Sequence, residues 1–287
     1  MKKTMNASVL GLAHRVFGGV LLAASLGGAM QAALAEEPES KVTGNMSIAS
    51  DYRFRGFTQT NYGPAMQGGL DWEHRNGLYL GNWNSNVAQD LYNGATLEMD
   101  FYGGLKGEWH SLFGTTYDVG AIYYGYPKSG TNPPQNSLLL NNTAYNNTEV
   151  YLGLSNGPLS LKVNVATSDY FKMASSLSAP LSTKGTTYVD LGYTQQFLGL
   201  VFGAHVGVLG LKNYKQTQFV QASELGTQPL TPTVNDYKLS IGKDFGDNAV
   251  VTANYFSTSK RGYFQTDAYG LRSAGKSGLT LGFTKGF

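Results

Sequence analysis

Charged and amide side chains recur at two-residue spacing, and they are the residues of this chain whose chemistry is easiest to interpret. Successive side chains of a strand point to opposite faces, so residues two apart share a face. Rows of fixed charges and amides on one face can select ions or solutes by charge and hydrogen bonding. We therefore predict that one face of the sheet lines a hydrated lumen. Its candidate lining residues are Asp51, Arg53, Arg55, Asn82, Asn84, Glu98, Asp100, Asp118, Lys162, Asp190, His205 and Lys238.

Acidic residues outnumber basic residues on the predicted inner face. The acids of this parity are Asp51, Asp71, Glu73, Glu98, Asp100, Asp118, Glu149, Asp190, Asp236 and Asp244, and the bases are Arg53, Arg55, Lys106, Lys162 and Lys238. A hydrated wall of this kind favours cations modestly. The alternative is an interior locked by salt bridges that blocks passage, because medium-sized barrels lie between filled ones and open channels.

The sequence offers no recognisable catalytic or metal-binding set. Beyond the N-terminal segment it has three histidines, His74, His110 and His205, of which we place only His205 on the inner face. A metal site needs several ligands at consistent spacing, and nucleophilic catalysis needs a nucleophile beside a base. There is no cysteine and no Lys/Arg cluster of the kind that binds nucleic acid. We therefore expect no enzyme activity, no cofactor and no nucleic-acid partner.

Twelve alternating segments must position these side chains. They are rich in Val, Tyr, Phe, Thr and Leu, with period-two patterning, which is typical of strands. The predicted strands cover about residues 42–55, 64–74, 78–87, 95–106, 115–126, 147–155, 159–170, 187–197, 200–210, 235–245, 249–259 and 278–287.

The connections between these strands alternate in length. Short ones fall at 75–77, 107–114, 156–158, 198–199 and 246–248, and long ones at 56–63, 88–94, 127–146, 171–186, 211–234 and 260–277. Outer-membrane barrels have short periplasmic turns and longer external loops, with crossing strands of about ten residues. The alternation predicts an all-β protein, an antiparallel up-and-down transmembrane barrel of about 12 strands.

The composition agrees with such a barrel. The mean hydropathy is −0.22, which suits strands with one face in water, and 37 glycines suit curved, closely packed strands. Aromatic residues near strand ends suggest girdles at the two membrane interfaces. The residues assigned to these girdles are Tyr52, Trp72, Tyr79, Trp83, Tyr117, Tyr188, Tyr255 and Phe287.

The first 35 residues have the features of a signal peptide. Lys2, Lys3 and Arg15 precede or flank an apolar stretch, and Ala33-Leu34-Ala35 is a small-x-small cleavage site. We expect residues 1–35 to be removed and residues 36–287 to form one barrel domain. All 19 acids but only 18 of the 21 bases lie beyond residue 35, so the mature chain carries one more acid than bases.

Two segments resemble the TorF family of porins. Phe54-Arg55-Gly56-Phe57-Thr58-Gln59 matches the family's aromatic-Arg-Gly-x-Ser/Thr-Gln pattern, and residues 77–86, GLYLGNWNSN, match its Gly-x-Tyr-x-Gly-x-Trp-x-Ser-Asn pattern. The last strand, ending in Phe287, is similar to the terminal signature that outer-membrane barrels present to their insertion machinery. The resemblance implies an outer-membrane channel of a Gram-negative bacterium, and it supplies no substrate or catalytic residue.

We expect a channel in outer-membrane lipid through which small hydrophilic solutes or ions diffuse passively. The alternatives are a closed barrel with a structural or surface-binding role through its external loops, and a lipid hydrolase of the outer membrane. Homo-oligomer formation stays open, because the predicted outer faces look uniformly apolar and show no seam.

Overall fold

The computed structural model describes residues 38–130, 144–172, 182–213, 233–259 and 273–287. Twelve long strands form the barrel and two short ones form a separate hairpin, numbered here in chain order. The barrel strands are β1 (Ser40–Ala49), β4 (Ala65–His74), β5 (Leu78–Asn86), β6 (Leu97–Trp109), β7 (Thr115–Gly125), β8 (Asn147–Asn156), β9 (Leu159–Ala166), β10 (Thr187–Phe197), β11 (Leu200–Gly210), β12 (Thr233–Asp244), β13 (Ala249–Thr258) and β14 (Gly278–Gly286). The hairpin strands are β2 (Arg53–Phe54) and β3 (Phe57–Thr58).

The barrel strands form one closed antiparallel sheet. Each barrel strand pairs with its neighbour in the sequence, and β1 pairs with both β4 and β14, which closes the ring. Backbone hydrogen bonds between Gly44 and Phe287 extend the closing seam, with N···O distances of 3.2 and 2.8 Å. The prediction of a twelve-stranded antiparallel barrel is confirmed. No helix in the described ranges is both long and apolar enough to cross a membrane.

The two faces of the sheet differ in chemistry. Outward side chains are mainly Leu, Val, Ile, Met and Phe, as with Leu70, Leu80 and Leu239, each more than half exposed. Inward positions carry Asn, Ser, Thr, Gly, acids and tyrosines, of which Asn45, Ser47 and most others are buried. Because every backbone group of a closed barrel pairs within the sheet, such a structure can present an apolar outer face to lipid.

The connections sort to the two ends of the barrel as expected. One end, the short-turn end, carries the connections 75–77, 110–114, 157–158, 198–199 and 245–248. The other, the long-loop end, carries 50–64, 87–96, 126–146, 167–186, 211–232 and 259–277. Predicted and observed strands agree to within a few residues, with one main exception: the first barrel strand ends at Ala49 instead of continuing to residue 55. The predicted signal peptide, residues 1–35, lies outside the described ranges.

Several inward tyrosines lie flat over glycines of neighbouring strands. A Cβ atom on Gly81 would lie 2.2 Å from the Tyr102 ring, one on Gly104 2.7 Å from the Tyr79 hydroxyl, and one on Gly207 2.1 Å from the Tyr188 hydroxyl. The glycine leaves the room that the ring occupies. Tyrosine side chains can therefore follow the wall instead of projecting across the interior.

The aromatic-girdle prediction is partly wrong. Trp72, Tyr117 and Tyr255 face outward near strand ends, and Tyr117 stacks on Trp109 with ring centroids 4.9 Å apart. Four other members are buried inside the barrel end: Tyr52, Tyr79, Trp83 and Tyr188. Tyr52, Trp83 and Tyr188 face inward because the long-loop half of the interior contains a segment of the chain against which aromatic rings can pack. Tyr79 lies nearer the short-turn end, where its hydroxyl donates to Asp118.

Candidate functional site

The segment that connects β1 to β4, residues 50–64, folds into the barrel as an inner hairpin. Strands β2 and β3 pair through Arg53↔Thr58 and Phe54↔Phe57. The turn between them consists of Arg55 and Gly56, with φ of +49° and +83°. Two consecutive positive φ values are typical of the tight turn that joins a two-residue hairpin. The Arg55 backbone is thus held in the left-handed region of φ/ψ space at the hairpin tip, a conformation that residues with a Cβ rarely adopt.

Arg55 anchors the hairpin tip to the opposite wall. Its Nη1 and Nη2 donate to Oε1 and Oε2 of Glu149 on β8, at 2.9 and 2.6 Å, and Nη1 also donates to the Tyr170 hydroxyl at 2.9 Å. The guanidinium lies 4.3 Å from the ring centroid of Tyr188 on β10. Burial alone would lower the pKa of Arg55, but the Glu149 carboxylate outweighs it and raises the pKa well above its ordinary value. Arg55 is therefore a fixed positive charge.

Asp51 and Arg53 stabilise the base of the hairpin. Arg53 Nε donates to Asp51 Oδ2 at 2.5 Å, and the Thr58 hydroxyl donates to Asp51 Oδ1 at 2.5 Å. Arg53 Nη1 donates to the Lys276 carbonyl at 2.9 Å, which ties the hairpin to the segment before β14. Both side chains of this ion pair are almost fully buried. Asp51 and Arg53 are thus part of the hairpin's internal structure. The prediction that they extend from the first barrel strand is wrong, because that strand ends at Ala49.

Aromatic and aliphatic side chains surround the hairpin on two sides. Tyr52 packs edge-on against Trp83 of β5, and Phe54 against Tyr124 of β7, with ring centroids 5.4 and 5.6 Å apart. On the other side the buried Phe57 belongs to a second cluster, whose other members are Ala166, Tyr170, Tyr188, Leu209, Leu211, Val234 and Ala274. The long-loop half of the interior is therefore narrowed by packed apolar groups.

Most other predicted lining residues face the interior. Asp118 accepts a hydrogen bond from the Tyr79 hydroxyl at 2.5 Å, and Lys162 Nζ lies 3.8 Å from the Tyr151 ring centroid. Lys238 Nζ lies 5.9 Å from the ring centroid of Phe256. Their position is the one that a lining role requires, and the lining role itself stays a prediction.

Glu98 and Asp100 occupy successive inward positions of β6. Both residues are 1% exposed, and Glu98 Oε1 accepts a hydrogen bond from the Tyr126 hydroxyl at 2.8 Å. Asp71 Oδ1 likewise accepts a hydrogen bond from the Tyr102 hydroxyl at 2.6 Å. Several acids of the wall thus have tyrosine hydroxyls as hydrogen-bond donors.

His205 lies between two aspartates on the inner face. Its Nε2 lies 2.8 Å from Asp236 Oδ1 and its Nδ1 lies 3.1 Å from Asp190 Oδ2. The Tyr188 hydroxyl lies 3.2 Å from His205 Nε2. No serine is a hydrogen-bond partner of His205 in the described ranges, and those ranges hold no group of three or more His, Cys, Asp or Glu side chains suited to a metal ion. The arrangement joins three strands of the wall.

The prediction that Asn82 and Asn84 line the lumen is wrong. On β5 the buried side chains are Tyr79, Trp83 and Ser85, whereas Leu78 and Leu80 are exposed. Asn82 and Asn84 have the parity of these leucines, so they face outward. Trp83 takes an inward position because the inner hairpin supplies Tyr52 as its packing partner.

Sequence reasoning missed the inner hairpin and the inward tyrosines. Gly56 was a usable signal, because a glycine after alternating residues indicates a turn. The inward position of the tyrosines could have been predicted from the antiparallel register, in which a tyrosine is paired with a glycine of the neighbouring strand. Tyr79 and Gly104, for example, are direct partners across β5 and β6.

A closed twelve-stranded antiparallel barrel with an apolar exterior and a polar interior is a transmembrane β-barrel. Within that class, the chain belongs to the Gcw_chp family, described as "bacterial protein of unknown function", which matches residues 33–287. No curated protein matches the chain.

Solved structures of outer-membrane proteins resemble the barrel at low sequence identity. A NanC porin structure has a TM-score of 0.49 and 9% identity, covering 85% of this chain and 98% of that one. A KdgM porin in complex with disordered oligogalacturonate has a TM-score of 0.47 and 8% identity, covering 86% and 99%. Outer membrane phospholipase A from Escherichia coli has a TM-score of 0.40 and 9% identity, covering 84% and 95%.

Proposed function

We propose that the chain is an outer-membrane channel for passive diffusion of small hydrophilic solutes or ions. The observation that carries this proposal is the contrast between the outward apolar and inward polar faces around a closed sheet. Lipid offers no hydrogen-bond partners, so a closed barrel is one of two architectures that can span it. The predicted signal peptide and the resemblance to the TorF porins over residues 54–59 and 77–86 support a Gram-negative outer-membrane location.

The route would run from a wide short-turn half to a narrow long-loop half. Small side chains leave space in the former, where inward positions are occupied by Gly153, Gly192, Gly203, Gly242 and Gly282. In the latter, solutes must pass the inner hairpin, whose tip is held by the Arg55–Glu149 pair. The hairpin is thus the constriction of the proposed channel.

Selectivity would come from the charges of the wall. Of the inward acids, Asp71 and Asp118 have tyrosine hydroxyls as hydrogen-bond donors. A neutral donor leaves the carboxylate's charge in place, whereas a salt bridge cancels it. Fixed charges lining a pore favour counter-ions, so the channel should prefer cations.

The test is conductance of the refolded mature chain, residues 36–287, in a planar lipid bilayer. We expect discrete conductance steps in KCl and a reversal potential in a salt gradient that indicates cation preference. A folded protein that inserts into the bilayer without any conductance would contradict the channel.

A closed barrel with a structural or surface-binding role is the second candidate. The packing of the inner hairpin favours it, because the buried Arg55–Glu149 pair and two apolar clusters occupy the long-loop half. The same bilayer experiment separates the two functions. Persistent absence of conductance in the wild type, followed by conductance when the hairpin is released, would favour the closed barrel.

A further inference from the structure

The outer face of β5 differs from the rest of the barrel exterior. Its last three outward side chains are Asn82, Asn84 and Asn86, here called the amide stripe. Asn82 is the fifth of nine residues in β5. On the other described barrel strands, outward polar side chains apart from tyrosine lie within three residues of a strand end.

The amide stripe lies within the apolar band and not beyond it. Asn86 is level with Leu97 of β6 in the strand register, and the Met66 backbone N–H donates to Asn86 Oδ1 at 2.7 Å. The Met66 side chain is 68% exposed and that of Leu97 is 38% exposed. Asn82 and Asn84 are farther from the long-loop end than these apolar side chains, so hydrocarbon would surround them in a membrane.

The hydrogen bonds within the chain satisfy Asn82 better than Asn84. Asn82 Nδ2 donates to the Asp100 carbonyl at 2.9 Å, and Asn82 Oδ1 accepts from Asn84 Nδ2 at 2.6 Å. The remaining contacts of Asn84 are long: Oδ1 accepts from Asn82 Nδ2 at 3.4 Å, and Nδ2 donates to the Gly68 carbonyl at 3.4 Å. An amide offers two donor hydrogens and two acceptor lone pairs. Asn84 therefore retains hydrogen-bonding capacity that lipid tails cannot meet.

A glycine makes the amide stripe accessible to another protein surface. Gly68 of β4 is the direct neighbour of Asn84 in the sheet, and Gly103 of β6 is the neighbour of Leu80. The Leu80 side chain covers Gly103, since a Cβ there would lie 2.6 Å from Leu80 Cδ2. Gly68 has no side chain that could screen Asn84, so the access to the amide is on the β4 side. Small residues beside polar side chains are typical of protein contacts inside membranes, because they let two backbones approach.

We propose that the amide stripe is the surface through which a second copy of this chain binds. This inference rests on the proposed function, since it requires the exterior to lie in lipid. In a membrane, a twofold axis relating two copies runs along the membrane normal, so it brings each residue of the interface to the same depth as its copy. An amide is both donor and acceptor, so Asn84 can pair with Asn84 of a second copy. Lipid phosphate is a poorer occupant, because no Lys or Arg faces outward on β4, β5 or β6.

A single introduced cysteine tests the contact directly, because the chain has none of its own. The mature Asn86→Cys protein, which keeps Asn82 and Asn84, is reconstituted in phosphatidylethanolamine/phosphatidylglycerol vesicles, oxidised, and run on a non-reducing gel. The control is Val206→Cys, an outward position on β11, which lies across the barrel from β5 in the strand order. We expect a reducible dimer for Asn86→Cys and monomer for Val206→Cys. Equal cross-linking of both variants, or of neither, would overturn the proposal.

The mass of the particle in mild detergent gives a second, independent readout. The wild type should have the mass of two chains, and the double variant Asn82→Leu/Asn84→Leu that of one. A heat-modifiable band on a gel shows whether each sample is a folded barrel. A folded wild type with the mass of one chain refutes the dimer alone, whereas absence of any folded, lipid-inserted barrel refutes the channel as well.

Discussion

Arg55 combines two costly features, a left-handed backbone and a buried charge, and the structure compensates for the charge with Glu149. Residues held in such conformations persist where the surroundings fix them, and they concentrate at functional positions. Removing one partner of a buried ion pair typically costs about 3–5 kcal/mol, because the other charge is left uncompensated. The hairpin tip should therefore depend strongly on this side chain.

Replacing Arg55 with alanine should open the channel and make it more cation-selective. The variant loses both hydrogen bonds to Glu149 and leaves that carboxylate without its cation in the constriction. Single-channel conductance should rise, and the reversal potential in a KCl gradient should shift toward the cation limit. Arg75→Ala is the matched control, since Arg75 pairs with Glu39 where both side chains are largely exposed, and exposed pairs contribute little. Unchanged conductance and selectivity of Arg55→Ala would contradict the constriction.

Among single residues, the sequence predicted the facing of charged side chains better than that of amides. A carboxylate or ammonium group on the lipid face is energetically unfavourable. A charged residue therefore predicts which parity of its strand faces inward, as with Asp118, Lys162 and Asp190. An asparagine is less restricted, because part of its hydrogen bonding can be met by the neighbouring backbone, as with Asn82 and the Asp100 carbonyl. The polarity of Asn82 and Asn84 suggested an inward position, whereas the parity that they share with Leu78 and Leu80 places them outward.

Within the strands, the pairing of a tyrosine with a glycine fixes where each ring lies. The hydroxyl of Tyr102 donates to Asp71, so the ring that covers Gly81 is held in place. A flat ring over a glycine shields the strand backbone and keeps the side chain close to the wall. Such pairs are compatible with the lumen of the proposed channel in a wall rich in tyrosine.

Gly81→Ala should destabilise the barrel, whereas Gly153→Ala should not. The new Cβ at position 81 would lie 2.2 Å from the Tyr102 ring and 2.6 Å from Asp71 Oδ1, whereas at position 153 its nearest neighbour would be Asp118 Cβ at 3.6 Å. Overpacking of this kind costs about 1–3 kcal/mol. Urea titration of the folded, heat-modifiable band measures both variants. Equal midpoints would show that the ring over Gly81 moves aside freely.

Gly56→Ala should displace the inner hairpin by a route that leaves its charges unchanged. An added Cβ would lie 2.7 Å from Asp236 Cβ on β12, at a backbone φ of +83°. Gly157→Ala is the control, because that glycine also has a positive φ, +54°, but has no atom within 4 Å of the added Cβ. Conductance should increase for Gly56→Ala and stay at the wild-type value for Gly157→Ala. An increase in conductance in both variants would mean that backbone strain, and not the contact between the hairpin and Asp236, is responsible.

At the level of elements, the strands were predictable and the inner hairpin was not. Period-two patterning located all twelve barrel strands, because each must present one apolar and one polar face. The same alternation continues through residues 50–55, where it describes a segment inside the barrel. A local pattern indicates which residues share a face. Where residues 50–55 lie in the barrel depends on contacts with Glu149, Tyr170 and other residues far along the chain.

For the molecule as a whole, closure between β1 and β14 makes the last residue part of the sheet. Phe287 contributes its backbone to the seam, and its side chain is 66% exposed. Phe287→Ala keeps the backbone, so refolding in detergent should match the wild type. We nevertheless expect much less assembled barrel in cells, because we predict that the insertion machinery recognises this aromatic terminus. Phe245→Ala, in an exposed short turn, should change neither measurement, and normal cellular assembly of Phe287→Ala would refute the prediction.

The overall architecture followed from sequence because the constraints of a membrane are few and strict. Closed sheets, crossing strands of about ten residues and loops sorted by length leave little choice of fold. Strand number, order and ends were thus accessible from the chain alone. Whether the interior is open was not, since it depends on how a dozen inward residues and one inserted segment pack together.

The inner hairpin also orders events during assembly. Residues 50–64 are made early, yet Arg55 bonds to a residue 94 positions later and Arg53 to one 223 positions later. Contacts this distant form late, because the intervening chain must first be arranged. An incomplete barrel does not yet place Glu149 and Lys276 around the hairpin, so we expect the hairpin to reach its final position only after the late strands have joined the sheet.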